Sequence, residues 1–256
     1  FLEQSVENDL FAKLWHGQNR GVLIPGLHLL TFPLAFFPFS LFAMLAIPDT
    51  WKKRHDPSVA FCLGWIIPVW IVFELSLTKL PHYVMVTYPA IAILAAKALL
   101  DGYPALAAKK WRWLVALSVG VWLMVGMGVA LAWVFLPYLS DQTWSVTQIS
   151  VSLILLITQG IGLFLLVHRK TESVLILTLG ALVFATGALG CTLPSLHHFW
   201  VSRQIAQTAD TMKPCEKLQI ISSAYREPSL VFMAGTDTLL MNNGTEAAQA
   251  LQHNPC

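Results

Sequence analysis

The sequence predicts an α-helical polytopic membrane protein with a small extracytoplasmic α/β region at its carboxyl-terminal end. Of its 256 residues, 56% are hydrophobic and only 12% are charged, whereas soluble domains carry about 25% charged residues. Six apolar stretches reach about 20 residues, the length at which a helix crosses a bilayer. Charged and turn-forming residues return after residue 192, where the composition becomes that of a water-exposed region.

The six predicted spans contain almost no charge. Lys and Arg are absent from their centres, and the exceptions, Glu74 and Lys97, lie toward span ends. Prolines cluster near the predicted boundaries, where a helix tolerates them best. The predicted spans are residues 26–48, 59–77, 82–100, 113–136, 146–167 and 173–192.

The connecting loops predict an orientation. Loops 49–58, 101–112 and 168–172 hold eight Lys and Arg residues, whereas loops 78–81 and 137–145 contain only Lys79 between them. Short loops rich in Lys and Arg stay in the cytoplasm. Both ends of this chain are therefore expected on the opposite, extracytoplasmic side.

Two regions flank the predicted six-helix region 26–192. Residues 1–25 place apolar side chains at helical spacing, which indicates either an interfacial helix or a connector packed on the bundle. Residues 193–256 predict a strand at 218–221, further elements at 229–232 and 239–241, and a helix at 246–251. The chain begins at Phe1, and its last elements resemble an incomplete α/β unit, so we expect a segment of a longer protein.

Cysteine placement adds one expectation about the exported region. Cys215 and Cys256 both lie in residues 193–256, where an oxidising compartment permits a disulfide bridge. The sequence leaves open whether these two residues pair.

Lys79, His82 and Tyr83 form the strongest candidate site. They stand in a short polar run between two apolar stretches, at the lip of the membrane. A lysine supplies charge, and imidazole and phenol supply directional donors, which together suit a lipid-linked phosphate. The alternative is an interfacial anchor without a ligand. A net charge of +2 without a basic stripe argues against nucleic acid as a partner.

Three more residues are candidates for substrate binding. Glu74 is a carboxylate deep in a span, where an unpaired charge is costly. It either pairs with Lys79 or an upstream helix, or it positions a sugar or a metal. His28 lies in apolar sequence as a hydrogen-bonded bundle residue or a ligand, and Arg20 meets either a phosphate or solvent. The histidines match no metal-ligand spacing, so no metal site is assigned.

The run Lys79-Leu80-Pro81-His82-Tyr83, followed by Tyr88-Pro89, resembles the signature of bacterial GT-C glycosyltransferases of the aminoarabinose-transferase and protein-mannosyltransferase type. The stretch 61–74, the start at 5–18 and the exported run 225–237 resemble the same family. The resemblance covers nearly the whole chain.

This resemblance implies an enzyme of the bacterial inner membrane. Family members transfer a sugar from a polyprenyl-phosphate donor to a lipid or protein acceptor on the outer face. Their catalytic carboxylate would precede Phe1, so this segment alone is expected to be inactive and to lack catalytic residues. The family's metal-ligating histidine falls on Gly21 here, so no cofactor is assigned, although a divalent metal occurs in the family. Membrane lipids are the remaining expected partners.

The alternative is a non-catalytic polytopic protein that binds or transports lipid-linked sugars. A transporter is expected to show paired repeats or interrupted helices with charges near the midplane. The sequence shows neither feature, so it favours the transferase.

Overall fold

The computed structural model describes residues 24–76, 79–212 and 219–253. They divide into two compact units. The first unit runs to Trp133 and includes Gln148–Gly187, and the second comprises Val134–Thr147 with the residues from Ala188 onward. The domain boundaries expected at residues 25 and 192 remain predictions. Most of the expected interfacial helix, Arg20, Gly21 and the Cys215–Cys256 pair lie outside the described residues.

The membrane region is built from helices joined by short turns. In chain order they are α1 (Leu27–Ala35), α2 (Ser40–Lys52), α3 (Pro57–Leu75), a 3₁₀ turn (Pro81–Thr87), α4 (Tyr88–Leu100), α5 (Pro104–Ala107), a 3₁₀ turn (Lys109–Trp111), α6 (Arg112–Asp141), α7 (Val146–Val167) and α8 (Glu172–Thr186). A π-helical turn (Gly187–Thr192) and α9 (Leu193–Ser195) continue directly from α8.

Within the described residues, five helical stretches are long and apolar enough to cross a membrane. They agree with the last five of the six predicted spans to within a few residues, and they support a multi-pass membrane protein. These stretches are Pro57–Leu75, Pro81–Leu100, Lys109–Asp141, Val146–Val167 and Glu172–Ser195.

The first predicted span, 26–48, is not one continuous helix. The chain leaves helical geometry after Ala35, makes a turn containing a cis Phe37–Pro38 peptide, and resumes as α2 at Ser40. Pro38 lacks an N–H, and a residue that precedes proline disfavours α geometry. A sixth crossing is therefore not shown, and the chain contains the interrupted helix that the sequence did not reveal.

The interruption is stabilised by side chains that bond its freed carbonyls. Ser40 Oγ donates to the carbonyl of Pro33 at 2.9 Å. Trp122 Nε1, from α6, donates to the carbonyl of Pro38 at 2.8 Å, and the Trp122 side chain is fully buried. Backbone groups inside a bilayer need such partners. Because these two carbonyls are bonded internally, they are not available to a transported ion.

Helices α6, α7 and α8 pack through small and polar side chains. Gln159 of α7 is buried and its Nε2 donates to the Trp122 carbonyl at 3.0 Å. An added Cβ at Gly162 would meet Leu177 of α8 at 2.6 Å, so only glycine permits this approach. Close contact between small residues is the usual means of helix association in membranes.

The three loops with most basic residues lie at one end of the first unit, hereafter the basic end. Lys53 Nζ contacts Asp101 Oδ2 at 2.6 Å, which joins the loop after α2 to the loop after α4. Arg169 and Lys170 share a small cavity with Gly102 and Tyr103. If successive spans cross the membrane in opposite directions, these three loops must lie on the same side of it.

The second unit contains a small βαβ arrangement. Strand β1 (Ile221–Ser223) pairs in parallel with β2 (Leu239–Met241), with Ser222 opposite Leu240. The other elements are a 3₁₀ turn (His197–Phe199), α10 (Val201–Met212), α11 (Pro228–Ala234) and α12 (Gly244–His253). Ser202 Oγ of α10 lies 2.9 Å from the Tyr225 hydroxyl and 2.8 Å from Ser229 Oγ, contacts that hold α10 against α11 and the loop before it.

The strand predicted at 218–221 begins later, at Ile221, and the element predicted at 229–232 is helix α11. Pro228 at the first helical position favours that helix over a strand. The element predicted at 239–241 is strand β2, and the final helix is confirmed. Whether this region is extracytoplasmic stays a prediction.

Candidate functional site

The candidate site lies at the end of the first unit opposite the basic end. Three segments meet there: the turn before α1, the last helical turn of α3, and residues 79–83. Gly26 has a φ of +79°, a left-handed geometry that favours glycine, and Pro25-Gly26 is a typical turn dipeptide. Leu80 is extended, as expected before Pro81, which opens the 3₁₀ turn.

Glu74 is the centre of a hydrogen-bonded cluster. Its carboxylate accepts hydrogen bonds from the Gly26 backbone N–H at 2.6 Å and from Lys79 Nζ at 3.0 Å. Its other oxygen lies 2.9 Å from His28 Nδ1. With two assigned donors on one oxygen and an imidazole nitrogen beside the other, this carboxylate has polar partners even where water is scarce. Of the alternatives for Glu74, the structure therefore shows the pairing one, with contacts to both Lys79 and His28 of the upstream helix.

His28 is fully buried between two acceptors. Its Nδ1 faces Glu74, and its Nε2 lies 3.2 Å from the carbonyl of Leu80. A neutral imidazole carries one N–H and satisfies one of these acceptors, whereas a protonated ring satisfies both. In either form, His28 connects α1 to both α3 and the segment that follows it.

Lys79 is buried instead of being presented to the membrane surface. Its side chain is 7% exposed. Besides Glu74, its Nζ donates to the carbonyl of Ile24 at 3.3 Å. The charge of Lys79 is thus neutralised within the cluster formed by His28, Glu74 and Lys79, which we call the Glu74 cluster. This cluster can hold residues 79–83 in place, but as it stands it leaves little lysine charge for a ligand.

His82 and Tyr83 occupy a different position. His82 is exposed, and Tyr83 is half-buried. Their rings meet edge to face with centroids 5.1 Å apart, and Tyr83 also packs on Phe73 at 5.2 Å. Two aromatic contacts orient the Tyr83 ring, while the imidazole of His82 remains accessible. These two side chains are the accessible donors of the predicted motif.

The structure thus separates the predicted site residues into two sets. His28, Glu74 and Lys79 form one buried cluster, His82 and Tyr83 lie beyond it, and Arg20 is outside the described residues. The sequence missed the backbone partners at Gly26, Ile24 and Leu80, for which only the Pro25-Gly26 turn gave a signal. In the described part of the chain, no three His, Cys, Asp or Glu side chains are grouped closely enough to hold a metal ion.

Comparison with known proteins gives a partial likeness to a transferase. The chain is 35% identical over 68 residues to the undecaprenyl phosphate-alpha-4-amino-4-deoxy-L-arabinose arabinosyl transferase of Pseudomonas paraeruginosa. The matched segment covers 27% of this chain and 12% of that transferase. No family model and no solved structure matches the chain. With the five apolar helices, this likeness supports a membrane glycosyltransferase in general terms.

Proposed function

We propose that the protein is an integral-membrane glycosyltransferase of the GT-C type. It transfers a sugar from a polyprenyl-phosphate donor to a lipid or protein acceptor on the outer face of the bacterial cytoplasmic membrane. The observation that carries this proposal is the likeness to an undecaprenyl-phosphate-dependent arabinosyl transferase in a chain with five apolar helices. The basic end then faces the cytoplasm, and the Glu74 cluster faces outward.

The chemistry is a displacement at the anomeric carbon. An acceptor oxygen attacks this carbon, the bond to the phosphate oxygen breaks, and the electron pair leaves with the polyprenyl phosphate. Negative charge therefore grows on the phosphate during the reaction, and donors aimed at it lower the barrier. The family resemblance assigns the general base to a carboxylate upstream of this chain. The task left to the residues of this chain is to bind the phosphate.

Within this chain we assign phosphate binding to His82 and Tyr83. His82 is exposed and Tyr83 is oriented by Phe73, so both donors are available and one of them is fixed. The Glu74 cluster has a supporting role, because its contacts hold residues 79–80 against α1 and α3. His82 and Tyr83 follow these residues closely in sequence, so the cluster also positions them.

Binding of polyprenyl phosphate to the purified chain in nanodiscs tests this assignment. We expect a His82→Gln, Tyr83→Phe double variant to bind at least about tenfold more weakly, which corresponds to about 1.4 kcal/mol. His55→Gln is the matched control, because His55 is also exposed but belongs to the loop at the basic end. Unchanged binding by the double variant would contradict the assignment.

A transfer assay on the longest natural form of the protein separates the two functional classes. Sugar transfer that the double variant reduces would support the glycosyltransferase. Binding of lipid-linked sugar without transfer would favour the non-catalytic alternative.

A further inference from the structure

An apolar groove runs along the first unit between α1, α2, α3 and α4. Its volume is about 280 Å³, and apolar side chains supply nearly all of its lining. The side chains that define it here are Leu29, Phe32, Ile47, Trp51, Ile66 and Trp70. We call it the Trp51 groove.

The groove begins at the basic end and reaches past the middle of a bilayer. Thr50 and Trp51 line its mouth beside the loop that follows α2. Trp70 lies 13 residues into α3, which at 1.5 Å per residue is about 20 Å from the start of that helix. The hydrocarbon core is about 30 Å thick, so the groove matches the depth of a lipid chain from the nearer leaflet.

A cation lies over the mouth of the groove. The Arg54 guanidinium is 5.3 Å from the centroid of the Trp51 ring, and its Nη1 donates to the Trp51 carbonyl at 3.0 Å. An arginine has five N–H donors, so most of them remain to bind another group. Arg54 is exposed, and so is the neighbouring Lys52.

The nearby carboxylates at the basic end, Asp49, Asp56 and Asp101, are bonded to other groups. Asp49 and Asp101 contact Lys53 at 2.9 and 2.6 Å. Asp56 caps α3 by accepting from the N–H groups of Ser58 and Val59. The positive charges of Lys52 and Arg54 are thus left beside an apolar groove, a combination that complements a lipid with an anionic headgroup.

We propose that the Trp51 groove binds one acyl chain of an anionic phospholipid from the leaflet at the basic end, with the lipid phosphate at Arg54 and Lys52. The acyl chain fills an apolar groove that would otherwise face lipid without specific contact. The phosphate matches the planar guanidinium, which can donate two parallel hydrogen bonds. Basic residues at such a position favour anionic lipids. This site does not depend on glycosyl transfer.

Native mass spectrometry of the purified protein tests whether the site prefers an anionic headgroup. Phosphatidylglycerol and phosphatidylcholine with identical acyl chains are compared, and we expect at least fivefold greater retention of phosphatidylglycerol. Arg54→Gln is expected to bring the two lipids close to parity. Lys110→Gln is the matched control, because Lys110 Nζ also lies 5.3 Å from a tryptophan ring, that of Trp111, which does not line the groove.

A second variant tests the apolar part of the site. Ile47 lines the groove and is 54% exposed, so Ile47→Trp fills the groove without displacing the core. We expect it to reduce retention of phosphatidylglycerol at least fivefold. Leu117→Trp is the control, since Leu117 is 56% exposed on α6 and does not line the groove.

Four results would overturn the proposal. They are equal retention of both lipids by the unaltered chain, an effect of Lys110→Gln as large as that of Arg54→Gln, unchanged retention by Ile47→Trp, and displacement by polyprenyl phosphate but not by added phosphatidylglycerol. The last result would identify a prenyl chain as the occupant. Failure here is distinct from failure of the proposed function, because polyprenyl-phosphate binding is tested separately with His82 and Tyr83 variants at the other end.

Discussion

The two ends of the first unit each hold a lysine against carboxylates, and they differ in exposure. At the basic end, Lys53 is 34% exposed and contacts the buried Asp49 and the exposed Asp101, so Lys53–Asp101 is the exposed pair. At the opposite end, Lys79 contacts Glu74, and its side chain is 7% exposed. The exposed lysine joins two loops through side chains alone, whereas the buried lysine belongs to a cluster that also includes His28 and backbone groups.

This difference shows that similar ion pairs can do different work in one protein. An exposed pair gains little, because water and salt screen its charges. A buried pair is costly to form but also costly to break, because the surviving charge is left without solvent. The Glu74 cluster therefore fixes local structure around residues 79–83, and the Lys53 contacts mainly align two loops.

Glu74→Gln is expected to have the largest effect on stability. It removes the carboxylate while Lys79 stays buried and charged, a situation that costs about 3–5 kcal/mol. The measurement is the free energy of unfolding in detergent micelles. Asp101→Asn at the basic end is the control and is expected to cost far less. A loss below about 1 kcal/mol for Glu74→Gln would show that water reaches Lys79.

Two double-mutant cycles compare the pairs directly. We expect Glu74→Gln with Lys79→Met to give a coupling energy near about 2 kcal/mol, within the range for groups in one network. Asp101→Asn with Lys53→Met is expected to give about 0.2–1 kcal/mol. Equal coupling energies would mean that burial does not distinguish the two ends.

The sequence predicted the parts of this fold that depend on local composition. Apolar length was sufficient for the five candidate spans, and an isolated carboxylate in a span was sufficient to predict a partner for Glu74. The interruption between α1 and α2 was missed, because Trp122, which bonds its carbonyl, is 84 residues away from Pro38. No local sequence pattern predicts a partner at that separation.

The candidate site shows the same limit. Lys79 was predicted as a phosphate-binding cation because it stands in a short polar run between apolar stretches, with a pair to Glu74 as the alternative. It is buried because Lys79 Nζ lies against the Glu74 carboxylate and the Ile24 carbonyl. His28 reaches Glu74 across 46 residues, and Leu80 contributes only its backbone. Contacts of this kind depend on tertiary structure and have no signature in residue types.

Asp101→Asn is expected to have a smaller and salt-dependent effect. At low ionic strength it should cost no more than about 1 kcal/mol of unfolding free energy, because the Asp101 and Lys53 side chains are 38% and 34% exposed and Lys53 keeps its contact with Asp49. In 1 M salt, where the screening length is about 3 Å, we expect the cost to fall close to zero. Lys79→Met should keep its cost at both salt concentrations. A salt-insensitive effect of Asp101→Asn would contradict the assignment of this pair as exposed.

The smallest expected effect is on the stability contribution of Asp101 at low pH. Lys53 lowers the pKa of Asp101 below its usual value of 3.8, chiefly through their hydrogen bond. A carboxyl whose folded-state pKa is lowered stabilises the fold above its unfolded pKa, and this contribution disappears as the pH falls through the folded-state value. Melting temperatures of the unaltered chain and of Asp101→Asn should therefore differ slightly at pH 7, and the difference should begin to shrink as the pH falls below about 4. Protonation of the other carboxylates affects both proteins and cancels in the difference. A gap that stays constant as the pH falls from 7 to well below 4 would mean that Asp101 stabilises the loop by contacts other than its charge.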